Sequence, residues 1–534
     1  MVQTPTIATG SGHPPHPEAQ PPAGLRGREA PWTAVYLFAA LVYLYLIFFI
    51  PPFTPVHLPG DGPIYLNDAK RMLAGEVLYR DFFQFSTPGT DLVYYGLFKL
   101  FGPRLWIPNA VLLLIGLAFA WLSVLISRQV MGPRLAYLPG AAFLTVGFGR
   151  FPEATHHWFS GLAIVAALAV LIKKRTPLRI ALAGALSGAA VCFTQPRGVM
   201  ALLGFGIFVV WEWRRSKSGW RALLKGEACL FGAFFATLAM VNAYFIWKAG
   251  FHQFWYCTVV FGLKYFPAQA TYNTFRVFTE PLPAIPPWRN LLLAKSWFFI
   301  FSFIPLIYIL FFVRYRREAR RRPQVPWARL MLLAMVGLFL FLSVAPAPSL
   351  LRTYAGALPG FILLGWFLDW PNRLHQVLAG LLVAVTVLAA ATGIRRTQFA
   401  WKGILQTSQG SLAILEPEAY NEYAWLSRRT QPSQYFFDAA RGQLYFYLDL
   451  RNPSHVPFIT NTGYTRPQQV QDVIEGLEEH QVRYVLWESD MLDSYPSRER
   501  PPADHLGPLR AYLRFHYHVA RTFSGWLLLW ERNE

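Results

Sequence analysis

Acidic side chains are scarce through most of this 534-residue chain. Residues 1–394 carry 13 Asp and Glu against 34 Lys and Arg, whereas residues 395–534 carry 16 against 15. The formal charge of +20 thus belongs to the first part, among apolar runs, and does not mark a nucleic-acid binder. Cysteine is nearly absent: Cys192, Cys229 and Cys257 lie in or beside apolar segments, so residues 395–534 have no disulfide framework. Neither G-x-x-x-x-G-K nor G-x-G-x-x-G occurs, which leaves nucleotide chemistry by those routes unsupported. No self-similar period marks a repeat protein. Charged residues are only 15% of the chain, against 54% apolar, with 44 Phe, 25 Tyr and 19 Trp. Repeated long apolar runs of this kind exclude a soluble globule, a coiled coil and a disordered chain, and point to a polytopic α-helical membrane protein.

Residues 1–31 are rich in Pro, Gly and His without an apolar period, so a disordered cytoplasmic tail is expected there. The first apolar run, residues 32–50, lacks a small-residue cleavage site and should stay as an anchor. Further candidate spans lie at 105–126, 135–148, 158–172, 180–193, 199–213, 223–247, 291–313, 330–344, 355–368 and 377–392, about eleven in all, within a transmembrane domain over 32–394. Lys and Arg in short loops stay on the cytoplasmic side. With the N-terminus inside, the cytoplasmic loops hold 21 basic residues, seven of them arginines between Arg314 and Arg329. The opposite side holds roughly half as many. An odd span count puts residues 395–534 outside the plasma (inner) membrane.

That last part alternates short apolar strands with amphipathic helices. Residues 434–438, 482–487 and 526–530 read as strands, and 468–480 and 509–522 as helices, giving a small extracytoplasmic α/β domain. Tyr445, Tyr447, Asp449 and Trp487 read as ordinary core or surface positions.

Five of the thirteen acids fall in one external stretch: Asp61, Asp68, Glu76, Asp81 and Asp91. Ile64, Tyr65, Ala69, Met72 and Leu73 recur at helical spacing, so this segment can lie along the membrane interface with one apolar face down. Offsets of four and seven bring Asp61, Tyr65 and Asp68 together on a neighbouring face. Ahead of Gly62 and Pro63, Asp61 reads equally well as a helix N-cap. A second loop helix begins at Pro88, so that loop helices occupy much of 61–101.

The run Asp61-Gly-Pro-Ile-Tyr65, with Ala74-Gly75, Val77-Leu-Tyr79-Arg80-Asp81-Phe82, Pro88 and Leu97-Phe98-Lys99-Leu100-Phe101-Gly102, resembles the first external loop of the GT-C superfamily of integral membrane glycosyltransferases. Within it the likeness is to the protein O-mannosyltransferase and aminoarabinose transferase group. The resemblance implies transfer from a polyprenyl-phosphate sugar at the external leaflet, with Asp61 as catalytic base. A base is needed because the acceptor hydroxyl or amine loses its proton as it attacks the anomeric carbon. Those relatives often place a second acid directly beside the first; here Gly62 stands there, and Asp68 is the candidate replacement.

The resemblance also directs attention to the next external loop, Gly149-Arg150-Phe-Pro-Glu153-Ala-Thr-His156-His157. Glu153 is a second catalytic candidate, positioning an acceptor or a metal, while Arg150, His156 and His157 are candidate contacts to sugar or phosphate. Together with Asp61 they could ligate a divalent metal ion. The plainer alternative is a polar loop with a solvated carboxylate. The leaving phosphate calls for a preorganised cation. Arg197, Lys264 beside Tyr265, and Arg352 beside Tyr354 are the external candidates, against interfacial anchoring as the alternative. The aromatic stretch 251–278 would line a groove for the prenyl chain or form an interfacial belt.

The expected function is that of an inverting glycosyltransferase with a polyprenyl-phosphate donor, membrane-lipid surroundings, a protein, lipid or glycan acceptor, and no nucleic-acid partner. The alternatives are a transporter or flippase of an amphipathic lipid and an inactive scaffold. A transporter should carry ionisable groups within its spans; here the acids gather in the external loops.

Overall fold

The computed structural model describes residues 26–216, 218–266, 287–345, 347–489 and 504–534, with the side chains of 26–29 and 287–302 left out. Residues 1–25 and, in the aromatic stretch read as a groove lining, residues 267–278 lie outside the described residues.

Each apolar run coincides with helix. The principal ones are α1 (Arg26–Phe48), α4 (Ile107–Ser127), α6 (His156–Leu171), α7 (Pro177–Phe193), α8 (Gln195–Ser216), α9 (Trp220–Ala249), α12 (Pro287–Glu318), α13 (Trp327–Leu342), α15 (Leu358–Leu368) and α16 (Arg373–Phe399). Among the described residues four stretches are long and apolar enough to cross a membrane unaided: Ala30–Phe48, Ile107–Ser127, Trp220–Ala249 and Arg373–Phe399. In α16 only 6% of the span is buried, so nearly its whole apolar circumference is left to lipid. The helix α7 packs tightly against α9 because Gly184 and Gly188 set their bare Cα atoms against the Leu230 and Phe234 carbonyls.

Three local readings change. Helix α1 begins at Arg26, so residues 26–31 of the stretch expected as a tail are helix. The run 135–148 is not one α-helix: α5 (Leu138–Ala142), started by Pro139, passes into a π-turn, Phe143–Gly147, and a 3-10 turn, Phe148–Arg150. The run 355–368 is interrupted at Gly356, where α14 (Leu350–Ala355) ends; Pro359 then opens α15.

Between α1 and α4 the first long loop carries α2 (Gly62–Leu73) and α3 (Gly89–Phe101). A helix lying on the interface with one face down would leave its polar side in water. Instead every residue from Gly62 to Ala69 is buried, because the C-terminal part covers the other faces of α2. Lys70 Nζ donates to the Tyr445 carbonyl at 3.0 Å and to Asp449 Oδ1 at 2.7 Å. The Tyr447 hydroxyl binds the Leu58 backbone, and the Phe446 ring stacks on Phe98 at 5.7 Å. Removing such a buried aromatic costs about 3–5 kcal/mol.

The C-terminal part contains a four-stranded sheet ordered β5-β6-β8-β7, from β5 (Phe437–Asp438), β6 (Tyr484–Glu488), β7 (Tyr517–Phe523) and β8 (Leu527–Arg532). Only the first pair is parallel. Helix α19 (Pro467–Glu479) buries Val470, Val473, Gly476 and Leu477 at helical spacing. The expected strand at 434–438 is reduced to its last two residues. The expected helix at 509–522 ends as α20 (Gly507–His516), and 517–523 is strand. Ser524 and Gly525, at φ 53° and 75°, turn the chain back so that Tyr517–Phe523 pairs with β8; that pairing overrides the helical period. A hairpin of β3 (Gly403–Thr407) and β4 (Gly410–Ile414) precedes this sheet and was not apparent in the residue pattern.

Candidate active site

Gly60 sits at φ +92°, a conformation that only glycine takes without strain, and it swings the chain so that Asp61 precedes α2. The Gln443 side chain holds the Gly60 carbonyl at 3.2 Å, so the C-terminal part fixes this turn. Asp61 makes no side-chain cap bond to α2, and the N-cap reading of this residue is not what the structure contains. Its carboxylate lines a cleft instead, with Tyr65, Gln84, His156 and Arg352 as the other polar walls. Phe83, Phe85, Phe266, Phe458 and Tyr464 supply the aromatic walls.

Glu153 reaches the same place from the next loop. Its carboxyl packs on Gly60, where an added Cβ would lie 2.5 Å from Glu153 Cδ, and it lies near the Asp61 backbone amide. Burial and the neighbouring Asp61 charge push Glu153 up to about 8, against the pull of that amide and of Arg352. Burial raises Asp61 too, and Arg352 opposes the rise. At neutral pH Glu153 therefore keeps its proton and adds no charge beside Asp61.

Arg352 is aimed by the short helix α14: Ser349 caps its amide at 3.3 Å, and its Nη1 donates to the Ala347 carbonyl at 2.9 Å. His156 opens α6, with Nδ1 3.2 Å from the Phe193 carbonyl; that contact assigns the proton to Nδ1 and leaves Nε2 as an acceptor. The His157 ring lies 4.0 Å behind it. Arg352, His156, Phe85 and Phe266 also border a second cavity of about 520 Å³ between the starts of α6 and α8, the turn at Tyr256–Phe261 and the end of α13. Its lining is mainly apolar (Val199, Met200, Val259, Leu263, Leu342, Val344), with Thr194, Gln195, Arg197, His157, Thr258 and Ser343 among its polar members. Arg197 is only 2% exposed; it donates to the His157 carbonyl and to Ser160 Oγ, each at 2.8 Å, and to the Arg352 carbonyl at 3.0 Å.

Other candidates lie elsewhere. Asp68 does not stand beside Asp61 as the second acid; it accepts Gln84 Nε2 at 2.9 Å and faces Asp91, because seven residues along α2 carry it a full 10 Å farther by helical rise. Asp81 closes a surface turn, bound by the Val77 amide at 2.7 Å and paired with Arg80. Arg150 is exposed, and Tyr354 packs on Phe151 and Gly147; neither lines the cleft or the cavity. Lys264 is exposed above the Tyr265 ring, whose other neighbour is Arg466. Among the described residues no three His, Cys, Asp or Glu are gathered to hold a metal ion. Asp61 and Glu153 offer two carboxyls, and His156, with Nδ1 on the Phe193 carbonyl, has only Nε2 left as an acceptor. Gln84, Phe458 and Tyr464 were not singled out in the sequence; nothing in their spacing places them, since chain crossings of up to about 400 residues bring them to Asp61.

No family model matches the chain, and no curated protein matches it. Its fold is similar to that of a solved membrane-enzyme structure. The crystal structure of ArnT from Cupriavidus metallidurans bound to undecaprenyl phosphate superposes with a TM-score of 0.52 at 13% identity, over 94% of this chain and 98% of that one. The Archaeoglobus fulgidus oligosaccharyltransferase, in complex with zinc and sulfate, aligns at 13% identity over 92% of this chain and 72% of that one, with a TM-score of 0.49. At these identities the likeness is one of fold.

Proposed function

We propose that the protein is a glycosyltransferase that moves a sugar from a polyprenyl-phosphate donor to a protein, lipid or glycan acceptor on the extracytoplasmic face of the plasma membrane. The N-terminus is cytoplasmic and residues 395–534 are outside. One observation carries this reading: Arg352 and His156 border both the carboxylate cleft and the apolar cavity, so a prenyl chain in the cavity would set its phosphate beside the cation and its sugar beside Asp61. That the fold neighbour ArnT is bound to undecaprenyl phosphate supports the donor class.

The acceptor hydroxyl or amine attacks the anomeric carbon while its proton passes to Asp61. The bond from that carbon to phosphate oxygen breaks, and its electron pair leaves on the phosphate, facing Arg352. A single displacement inverts the anomeric configuration. Arg197 works a layer behind: it ties the Arg352 carbonyl to α6 and holds the cation in register.

The test is transfer by the purified protein from a panel of radiolabelled polyprenyl-phosphate sugars to lipid, protein and glycan acceptor fractions. Asp61→Asn keeps the shape and removes the base. Turnover should drop by about 10² to 10⁴. Retention of more than about a tenth of the wild-type rate would remove Asp61 from that role, and no transfer from any donor in the panel would remove the reading itself.

A further inference from the structure

Asp68 on α2 and Asp91 on α3 are both enclosed where the two helices pack, 1% and 0% exposed. Asp68 Oδ2 accepts the Gln84 amide at 2.9 Å, while no amide, hydroxyl or cation among the described residues donates to either oxygen of Asp91. The neighbouring acid that acts on Asp91 is the Asp68 carboxyl, on the helix packed against its own. Two neighbouring buried carboxylates cannot both be charged, and a proton between them supplies the donor that Asp91 lacks. Asp91 lies in the first turn of α3, where the helix dipole favours an anion, but that effect is small beside complete burial next to a second acid.

We propose that Asp68 and Asp91 share a single proton and act as a latch between α2 and α3, positioning Tyr65 and, through it, Asp61. The Tyr65 phenol lies among Asp61, Ser86, Asp68 and Asp91, so the charge of the pair is felt one side chain away from the cleft. With one proton the pair presents a single negative charge to that phenol; with none, two charges would repel each other across the α2–α3 contact. The remaining ionisable groups around the pair are Arg71 and Glu76, which reach Asp68, and Tyr79, which has Cys192 and Cys257 behind it. Burial lifts Asp68 up to about 7 against its bond from Gln84; burial and then the Asp68 charge lift Asp91 well above the usual carboxylate range. A carboxyl whose folded value is raised gives stability that is complete below its unfolded value and is lost as pH rises toward the folded one. The loss from this latch begins near pH 4 and continues past about 7.

The assignment of Asp68 and Asp91 as positioning residues rests on the proposed function; the shared proton does not, and the experiment separates the two. Thermal unfolding of the full chain in detergent is followed from about pH 5 to about pH 8 for the wild type, Asp91→Asn and Asp91→Ala. The amide of Asp91→Asn donates to Asp68 as the shared proton does, but it cannot be titrated away. Its midpoint should match the wild type near pH 5 and exceed it near pH 8, while Asp91→Ala is lower at both. Any contribution from Asp61, Glu153 or Glu422 is common to both proteins and cancels in the difference. Parallel curves for wild type and Asp91→Asn would overturn the shared proton. If Asp91→Asn does not fold, Asp68→Asn carries the same comparison, and failure of both isosteric amides would also overturn it. For positioning, Asp91→Asn should keep transfer within about threefold of wild type while Asp91→Ala loses at least tenfold in kcat, the change expected when a supported group shifts. Equal transfer by both, with the pH difference intact, would leave a shared proton that positions nothing and so overturn the positioning half alone.

Discussion

The carboxyl of Glu153 rests on the bare Cα of Gly60, so an acid 92 positions along the chain from Asp61 packs against the turn that precedes it. Glycine is required on both counts: Gly60 is at φ +92°, and a Cβ there would occupy the space of the Glu153 carboxyl.

Gly60→Ala should therefore destabilise the protein by about 1–3 kcal/mol through backbone strain alone, and it should displace Glu153. Thermal unfolding reads the first effect and donor transfer the second. An Ala variant with wild-type stability and rate would mean that Glu153 is not held against this turn.

Glu153 is neutral at pH 7, since its value lies at about 8. Glu153→Gln should then keep at least about a tenth of wild-type transfer near pH 7, because the amide reproduces a neutral carboxyl's shape. Above pH 8 the wild type gains a negative charge beside Asp61 and slows, whereas the Gln variant should not. The raised folded value also means that Glu153 costs stability as pH rises from about 4.5 to about 8, a slope that Gln removes. A rate–pH profile unchanged at its alkaline end would reassign that limb to another group.

Arg352 borders both cavities, whereas Arg197 is locked to three backbone and hydroxyl partners. Arg352→Ala is expected to weaken donor use by roughly ten- to a hundredfold, the worth of a charge-assisted contact, with little loss of folded protein. Arg197→Ala should lower both transfer and unfolding temperature. Arg128, which donates to Thr33 and Tyr137, is the control whose loss should leave donor KM unchanged. If Arg352→Ala and Arg128→Ala give the same donor KM, the phosphate is held elsewhere.

Reporter fusions after Arg215 and Arg320 should report cytoplasm, and one after Asn461 the outside. Asn461 lies between Phe458 and Tyr464, which line the Asp61 cleft, so a cytoplasmic signal there would move the cleft to the inner face as well.

The positions of the apolar helices were legible in the sequence because long apolar stretches stand out by composition alone; four of them, among the described residues, are long and apolar enough to cross a membrane. Asp61, Tyr65, His156 and Arg352 were legible for a related reason: polar groups beside so apolar a chain stand out, and all four line the cleft. Helical spacing also placed Asp68 on the Asp61 side of α2, but angle along a helix says nothing of what packs there. Its partner Asp91, the contact of Glu153 with Gly60, and the roof formed by Phe458 and Tyr464 arise between segments far apart in the chain. Periodicity reports only the repeat within one element. The pairing of elements, and with it the choice of which acid stands beside Asp61, was decided by tertiary packing, where burial and the need to satisfy each buried carboxyl select one arrangement.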